Sequence, residues 1–326
     1  MAFSMPMRQG FVTSRQHTIS HVHIPPTDAL PALLFLHGFP SHIPDWKHQI
    51  RHFSSLGYGI VAVDLLGYGD SSKPTDVDSY RIRPMGDEIV ELLDHLGLGQ
   101  VVGVGHDVGS TLLSRLAAYH PERWAALVFL AVGPPKLGTP FDVDAINSMT
   151  KQALGFELLG YIPWLGSADN NAQAALEKNP GAAMSLMFAA DRASWDEWFH
   201  PLHRMEQFVR EDRRVPVGEW YAEDLQRLHL AAFGARGRYT GATRWYRMWL
   251  ENRFAPDEDG YGDAKITQPA LFVVPREPEA GADQQTQMLA AWALDLTVVK
   301  VDSGHWVQLE RAGETNEAIE QFLKKL

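Results

Sequence analysis

Val101-Val102-Gly103-Val104-Gly105-His106-Asp107-Val108-Gly109-Ser110 is the stretch on which the fold turns. An apolar run suited to a buried strand passes through Gly-x-Asp-x-Gly into a helical pattern. A sharp strand-to-helix turn that lifts a nucleophile clear of the backbone needs small residues two positions before and after it. A side chain there would clash with the adjoining strand and helix. Gly105 and Gly109 meet that need, and Asp107 stands where such elbows usually carry Ser. The N–H of Val108 would open the helix and point at the reacting centre. Taken alone, the same residues also fit an Asp capping a helix after a buried strand, so the surroundings must decide.

Working outward, short apolar runs bounded by turn residues recur at 32–36, 60–63, 101–104, 127–132, 270–274 and 296–301. Continuous apolar runs of this length are what parallel strands covered on both faces require. Amphipathic helices are expected at 85–96, 111–119 and 315–323. Strands alternating with helices imply right-handed crossovers and a mostly parallel sheet. From about 137 to 254 the strand pattern lapses, and the chain reads as helices rich in aromatics, among them Trp164, Trp195, Trp220 and Trp245. The simplest organisation is a core of residues 1–136 and 255–326 with residues 137–254 inserted as a helical cap. Such an insertion can roof the carboxyl ends of the strands, where open α/β sheets place their sites.

The 326 residues carry a net charge of −11, with 45% hydrophobic and 21% charged residues. An acidic soluble composition argues against nucleic-acid and anionic-membrane partners. No apolar run approaches the length of a membrane span or a signal peptide, so a cytoplasmic protein is expected. With no cysteine in the sequence, disulfides and thiolate chemistry are excluded. The 14 histidines show no HExxH spacing; neither metal nor cofactor is expected. His21 and His23 alternate on an expected strand and are read as solvated.

Two further motifs decide for a nucleophile. Leu33-Leu34-Phe35-Leu36-His37-Gly38-Phe39-Pro40 ends a buried strand in a loop whose Phe39 N–H can complete an oxyanion hole with Val108; Phe39-Pro40 is a candidate cis bond. Val301-Asp302-Ser303-Gly304-His305-Trp306 follows the last strand, which places His305 as the general base. The order Asp107, then an acid, then His305 is the nucleophile, acid, base order of such sheets.

With these pieces, Asp64-Leu65-Leu66-Gly67-Tyr68-Gly69-Asp70-Ser71-Ser72-Lys73-Pro74 included, the chain resembles the α/β-hydrolase-fold epoxide hydrolases over nearly its whole length. The resemblance implies an α/β-hydrolase fold with a mostly parallel central sheet and an inserted helical cap. It also implies that two cap tyrosines hydrogen-bond the epoxide oxygen. The segments Gly155–Tyr161 and Arg244–Arg247 look like those that hold them, which carries the role onto Tyr161 and Tyr246, with Tyr221 and Tyr239 in reserve. The implied reaction opens an apolar epoxide to a vicinal diol through an Asp107 ester, hydrolysed by water that His305 activates.

The triad acid departs from the family pattern. After the run 270–274 the sequence reads Pro275-Arg276-Glu277-Pro278-Glu279, and one deletion places Glu277 at the acid position. Glu279 is second choice and Asp283 third. Rival readings stay open: a dehalogenase with the same Asp, a cyclase or lactonase on the same scaffold, or a ligand-binding protein without turnover. Val108 and Thr111 stand where dehalogenases of this fold carry Trp or Arg. The sequence leaves the oligomeric state open, with a homodimer one option.

Overall fold

The apolar runs become strands of one sheet, the central ones because they are buried on both faces. The computed structural model describes residues 5–27, 29–169, 171–276 and 279–326. Among the described residues the sheet has eight strands: β1 (Gln9–Val12), β2 (Thr18–Ile24), β3 (Ala32–Leu36), β4 (Gly59–Val63), β5 (Val101–His106), β6 (Trp124–Leu130), β7 (Ala270–Pro275) and β8 (Leu296–Val301). Their order is β1-β2-β4-β3-β5-β6-β7-β8. β2 runs antiparallel to both its neighbours, β1 and β4, and the six strands from β3 to β8 are mutually parallel. Every residue of β3, β4 and β5 is buried, which explains why these strands lack alternation.

Chain direction across the sheet reverses at β3. The connection from β3 reaches β4 on one side, and the next crosses back to β5 on the other. Loops leaving the carboxyl ends of β3 and β5 therefore diverge, opening the crevice in which doubly wound sheets place their ligands. Asp107 follows β5 directly, and Phe39 lies three residues beyond β3. The Phe39–Pro40 bond is cis.

Helices Ile82–His95, Val108–Tyr119 and Ala312–Leu323 occupy the expected amphipathic stretches. One expectation fails. His21 is buried rather than solvated, because β2 is an inner strand, paired to β1 at Gln9 and to β4 at Val63. Burial holds its imidazole below the ordinary histidine pKa, so it packs as a neutral ring.

The chain folds into two compact units. The first comprises residues 1–65, 82–139 and 257–326 and contains the sheet; the second comprises residues 66–81 and 140–256. Inside the first, a buried ion pair staples the points where the insertion leaves and returns. Arg115 Nε lies 2.8 Å from Glu258 Oε1, Arg115 Nη1 donates to Pro135 O at 2.7 Å, and Gly138 N donates to Glu258 Oε2 at 2.6 Å.

Inside the second unit, residues 66–81 seat the helix Thr240–Leu250. Trp245 Nε1 donates to Leu66 O at 2.8 Å and Arg244 Nε to Thr75 O at 2.8 Å. Gly67 has φ +93, and a Cβ there would stand 2.7 Å from Gly241 Cα. Two glycines thus let loop and helix backbones touch, giving the Gly67-Tyr68-Gly69 motif a structural task.

Candidate active site

The elbow is built as its glycines demand. Asp107 has φ 57 and ψ −125, a conformation costing a non-glycine residue about 1–3 kcal/mol. A Cβ on Gly105 would stand 2.5 Å from Gly109 O, and one on Gly109 would stand 2.1 Å from Leu36 O. A Cβ on Gly38 would stand 2.3 Å from Asp107 Cβ. Three backbone segments close on Asp107 with no room for side chains. The capping alternative fails: the Asp107 side chain makes no cap hydrogen bond to the helix Val108–Tyr119. Its Oδ1 instead accepts from Phe39 N at 3.0 Å, and the adjoining Val108 amide favours the charged carboxylate.

His305 comes from the turn after β8, and its Nε2 lies 3.4 Å from Asp107 Oδ2. That is long for a hydrogen bond, as catalytic pairs often are before substrate binds. The turn is tied down. His106 Nε2 lies 3.0 Å from His305 O; since a carbonyl only accepts, Nε2 carries the proton. The His106 ring packs between Trp306 at 5.1 Å and His305 at 4.7 Å. Gly304 N and Trp306 N donate to the two oxygens of Glu310.

Electrostatics follow from burial. Desolvation raises the Asp107 pKa, opposed by nearby His106 and by the Phe39 and Val108 amides. Desolvation also pulls His106 down to about 3, so its ring is neutral at physiological pH. His37 is likewise lowered by burial. Its Nδ1–H donates to Gly38 O at 2.8 Å and its Nε2 accepts from Leu65 N at 3.0 Å. The neutral ring braces the loop that presents the Phe39 amide.

Asp107, His305, Phe39 and Val108 are therefore brought together in the first unit. Glu277 lies outside the described residues. Asp283, the third choice for the acid, accepts from Lys300 Nζ at 2.7 Å and is exposed. Tyr161 and Tyr246 are brought together in the second unit, 5.9 Å between ring centroids and nearly perpendicular at 86°. Tyr161 stacks on Phe199 at 4.1 Å. The helices meet closely, since a Cβ on Gly166 would stand 3.0 Å from Tyr246 O. The reserve candidates are packed elsewhere: Tyr221 stacks on Phe188 at 3.7 Å, and Tyr239 lies against Phe233 at 5.1 Å. Neither His106 nor Glu310 stands out in the sequence, although each lies within five residues of a named site residue.

Known proteins share this fold. A family model of the alpha/beta hydrolase fold matches residues 31–312. An epoxide hydrolase from Caballeronia sordidicola is 30% identical over 307 residues, covering 93% of this chain and 90% of that one. The chain belongs to the epoxide hydrolase family of the α/β-hydrolase fold. Bifunctional epoxide hydrolase 2 of Mus musculus is 28% identical over 321 residues, 97% of this chain and 55% of the mouse protein. The chain thus spans about half the length of the mammalian relatives it matches. The crystal structure of epoxide hydrolase A from Mycobacterium thermoresistibile superposes with a TM-score of 0.79 at 26% identity, covering 98% of each chain. Among the described residues no group of three His, Cys, Asp or Glu is placed to hold a metal ion, and no helix is long and apolar enough to cross a membrane.

Proposed function

We propose that the chain hydrolyses an apolar epoxide to a vicinal diol through a covalent ester on Asp107, with residues 137–254 acting as the cap. The observation that carries this reading is the Asp107 carboxylate itself. One oxygen is held by the Phe39 amide and the other lies 3.4 Å from the His305 ring.

The two oxygens then divide the work. Oδ2 attacks an epoxide carbon and the ring C–O bond breaks, leaving an alkoxide. Tyr161 and Tyr246 hydrogen-bond that oxygen and one of them protonates it, a task suited to a phenol of pKa about 10. In the second step His305 takes a proton from water as the water attacks Cγ. Negative charge develops on Oδ1, where the Phe39 and Val108 amides stabilise it by roughly 3 kcal/mol per donor. Collapse expels the diol and restores the carboxylate. Glu277 is proposed as the acid that orients His305. Phe199, stacked on Tyr161 and backed by Trp195, favours an apolar substrate.

A single turnover with styrene oxide in heavy-oxygen water tests this. The label should enter the Asp107 side chain rather than the first equivalent of diol, and Asp107→Asn should initially be inactive. Diol labelled in the first turnover, with Asp107 unlabelled, would mean direct attack by water. Halide release from a haloalkanoate without diol from any epoxide would favour the dehalogenase reading.

A further inference from the structure

We infer that Glu310 positions His305, its carboxylate bridging the two amides that flank the imidazole-bearing residue. This rests on the role proposed above for His305 in the second half-reaction.

Glu310 ends the short helix Val307–Glu310. Its Oε2 accepts from Gly304 N at 2.6 Å and its Oε1 from Trp306 N at 3.0 Å. The Trp306 N–H belongs to the peptide plane whose carbonyl, His305 O, accepts from His106 Nε2 at 3.0 Å. That plane is therefore fixed at both edges, while Gly304 N fixes the Ser303–Gly304 plane, two peptides earlier. Because peptide planes are rigid, the freedom left between the two held planes is the φ and ψ of Gly304 and His305 alone. Arg311 Nε donates to Asp302 O at 2.8 Å and ties down the start of the same turn.

Two observations give this clamp a purpose beyond closing a turn. Glu310 is a half-buried carboxylate that bonds two amides in place of a cation, and burial raises its pKa against their pull. Gly304 is not in the left-handed region, so its backbone does not require glycine. The contact with Glu310 does: a Cβ there would stand 2.9 Å from Glu310 Oε1 and 3.2 Å from Oε2, so an added methyl would push the carboxylate off its two amides. The Gly304-His305 pair is thus half of a fitted contact whose other half is five residues away.

Glu310→Gln is the test, because its amide keeps one acceptor and turns an NH2 towards the other N–H. Rapid-quench kinetics with styrene oxide, under single turnover, read the two half-reactions separately. Ester formation should stay within twofold of wild type while ester hydrolysis falls at least tenfold, so that ester accumulates in the steady state. Gly304→Ala should show the same split, and it decides the matter if Glu310→Gln does not fold. Unchanged hydrolysis in either folded variant overturns the inference. So does an equal fall in both half-reactions, which marks a general loss of structure. If wild type forms no ester, the reading in the preceding subsection fails and takes this one with it; a wild-type ester with no split overturns Glu310 alone.

Discussion

Gly109→Ala tests the elbow at its tightest point. The added Cβ would stand 2.1 Å from Leu36 O, 2.6 Å from His37 O and 2.7 Å from Leu36 C. All three are backbone atoms at the end of a fully buried strand, so no flexible side chain can yield. Restoring an ordinary contact of about 3.4 Å requires backbone movement of roughly 1.3 Å. Overpacking of this kind costs about 1–3 kcal/mol of stability. The functional cost is larger, because Leu36 and His37 lead directly to Phe39, whose amide lies 3.0 Å from Asp107 Oδ1. A shift of about 1 Å lengthens that contact beyond a hydrogen bond, and losing one oxyanion donor costs about 10²–10³ in rate. The loss should fall on ester hydrolysis, when charge develops on Oδ1. Rapid-quench kinetics with styrene oxide, alongside thermal melts, measure both effects. A Gly109→Ala protein that melts with wild type and hydrolyses its ester within threefold of the wild-type rate would refute the reasoning.

Other perturbations probe separate parts of the molecule. Arg115→Met should cost about 3–5 kcal/mol in urea unfolding by leaving the buried Glu258 carboxylate without its cation; a loss below about 1 kcal/mol would show the staple to be dispensable. Because burial raises the Asp107 pKa, the folded state holds that proton more tightly than the unfolded chain. Ionising Asp107 therefore removes stability as pH rises from the ordinary carboxylate pKa of about 3.9 through the raised value. Asp107→Asn should accordingly melt higher than wild type at pH 7, the gap closing in acid, and a lower melting point at pH 7 contradicts this. The same shift places the acid limb of ester formation above the ordinary carboxylate range, a point that single-turnover rates against pH will check. Tyr161→Phe and Tyr246→Phe should each slow ester formation by about 100-fold or more and leave ester hydrolysis untouched. Ester formation within twofold of wild type in either variant removes that tyrosine from the site.

Local patterns in the chain were enough for much of this molecule. Gly105-His106-Asp107-Val108-Gly109 marks a tight strand-to-helix turn, because Gly105 closes on Gly109 within it, although the atoms that crowd Gly109 itself belong to Leu36 and His37. Strands β3, β4 and β5 were legible because burial on both faces leaves an unbroken apolar run. Tyr161 and Tyr246 were named from a family resemblance; that their rings meet edge to face is a product of how the start of helix Ile162–Leu165 packs against helix Thr240–Leu250. The tertiary structure alone decided matters that depend on partners distant in sequence. His21 sits in an alternating stretch that reads as solvated, and it is buried because β4, some forty residues on, pairs with β2. His106 reads as a spacer before the nucleophile, yet its ring holds the carbonyl of a residue 199 positions later. Gly67 reads as a turn residue and proves to be where the loop backbone meets Gly241. Glu310 reads as one more charge near the final helix until folding brings both its oxygens to the amides beside His305. A sequence records which groups are present and their local spacing, and that determined the elbow and the strands. Which donor meets which acceptor is settled by the register of distant segments, and that only the folded chain decides.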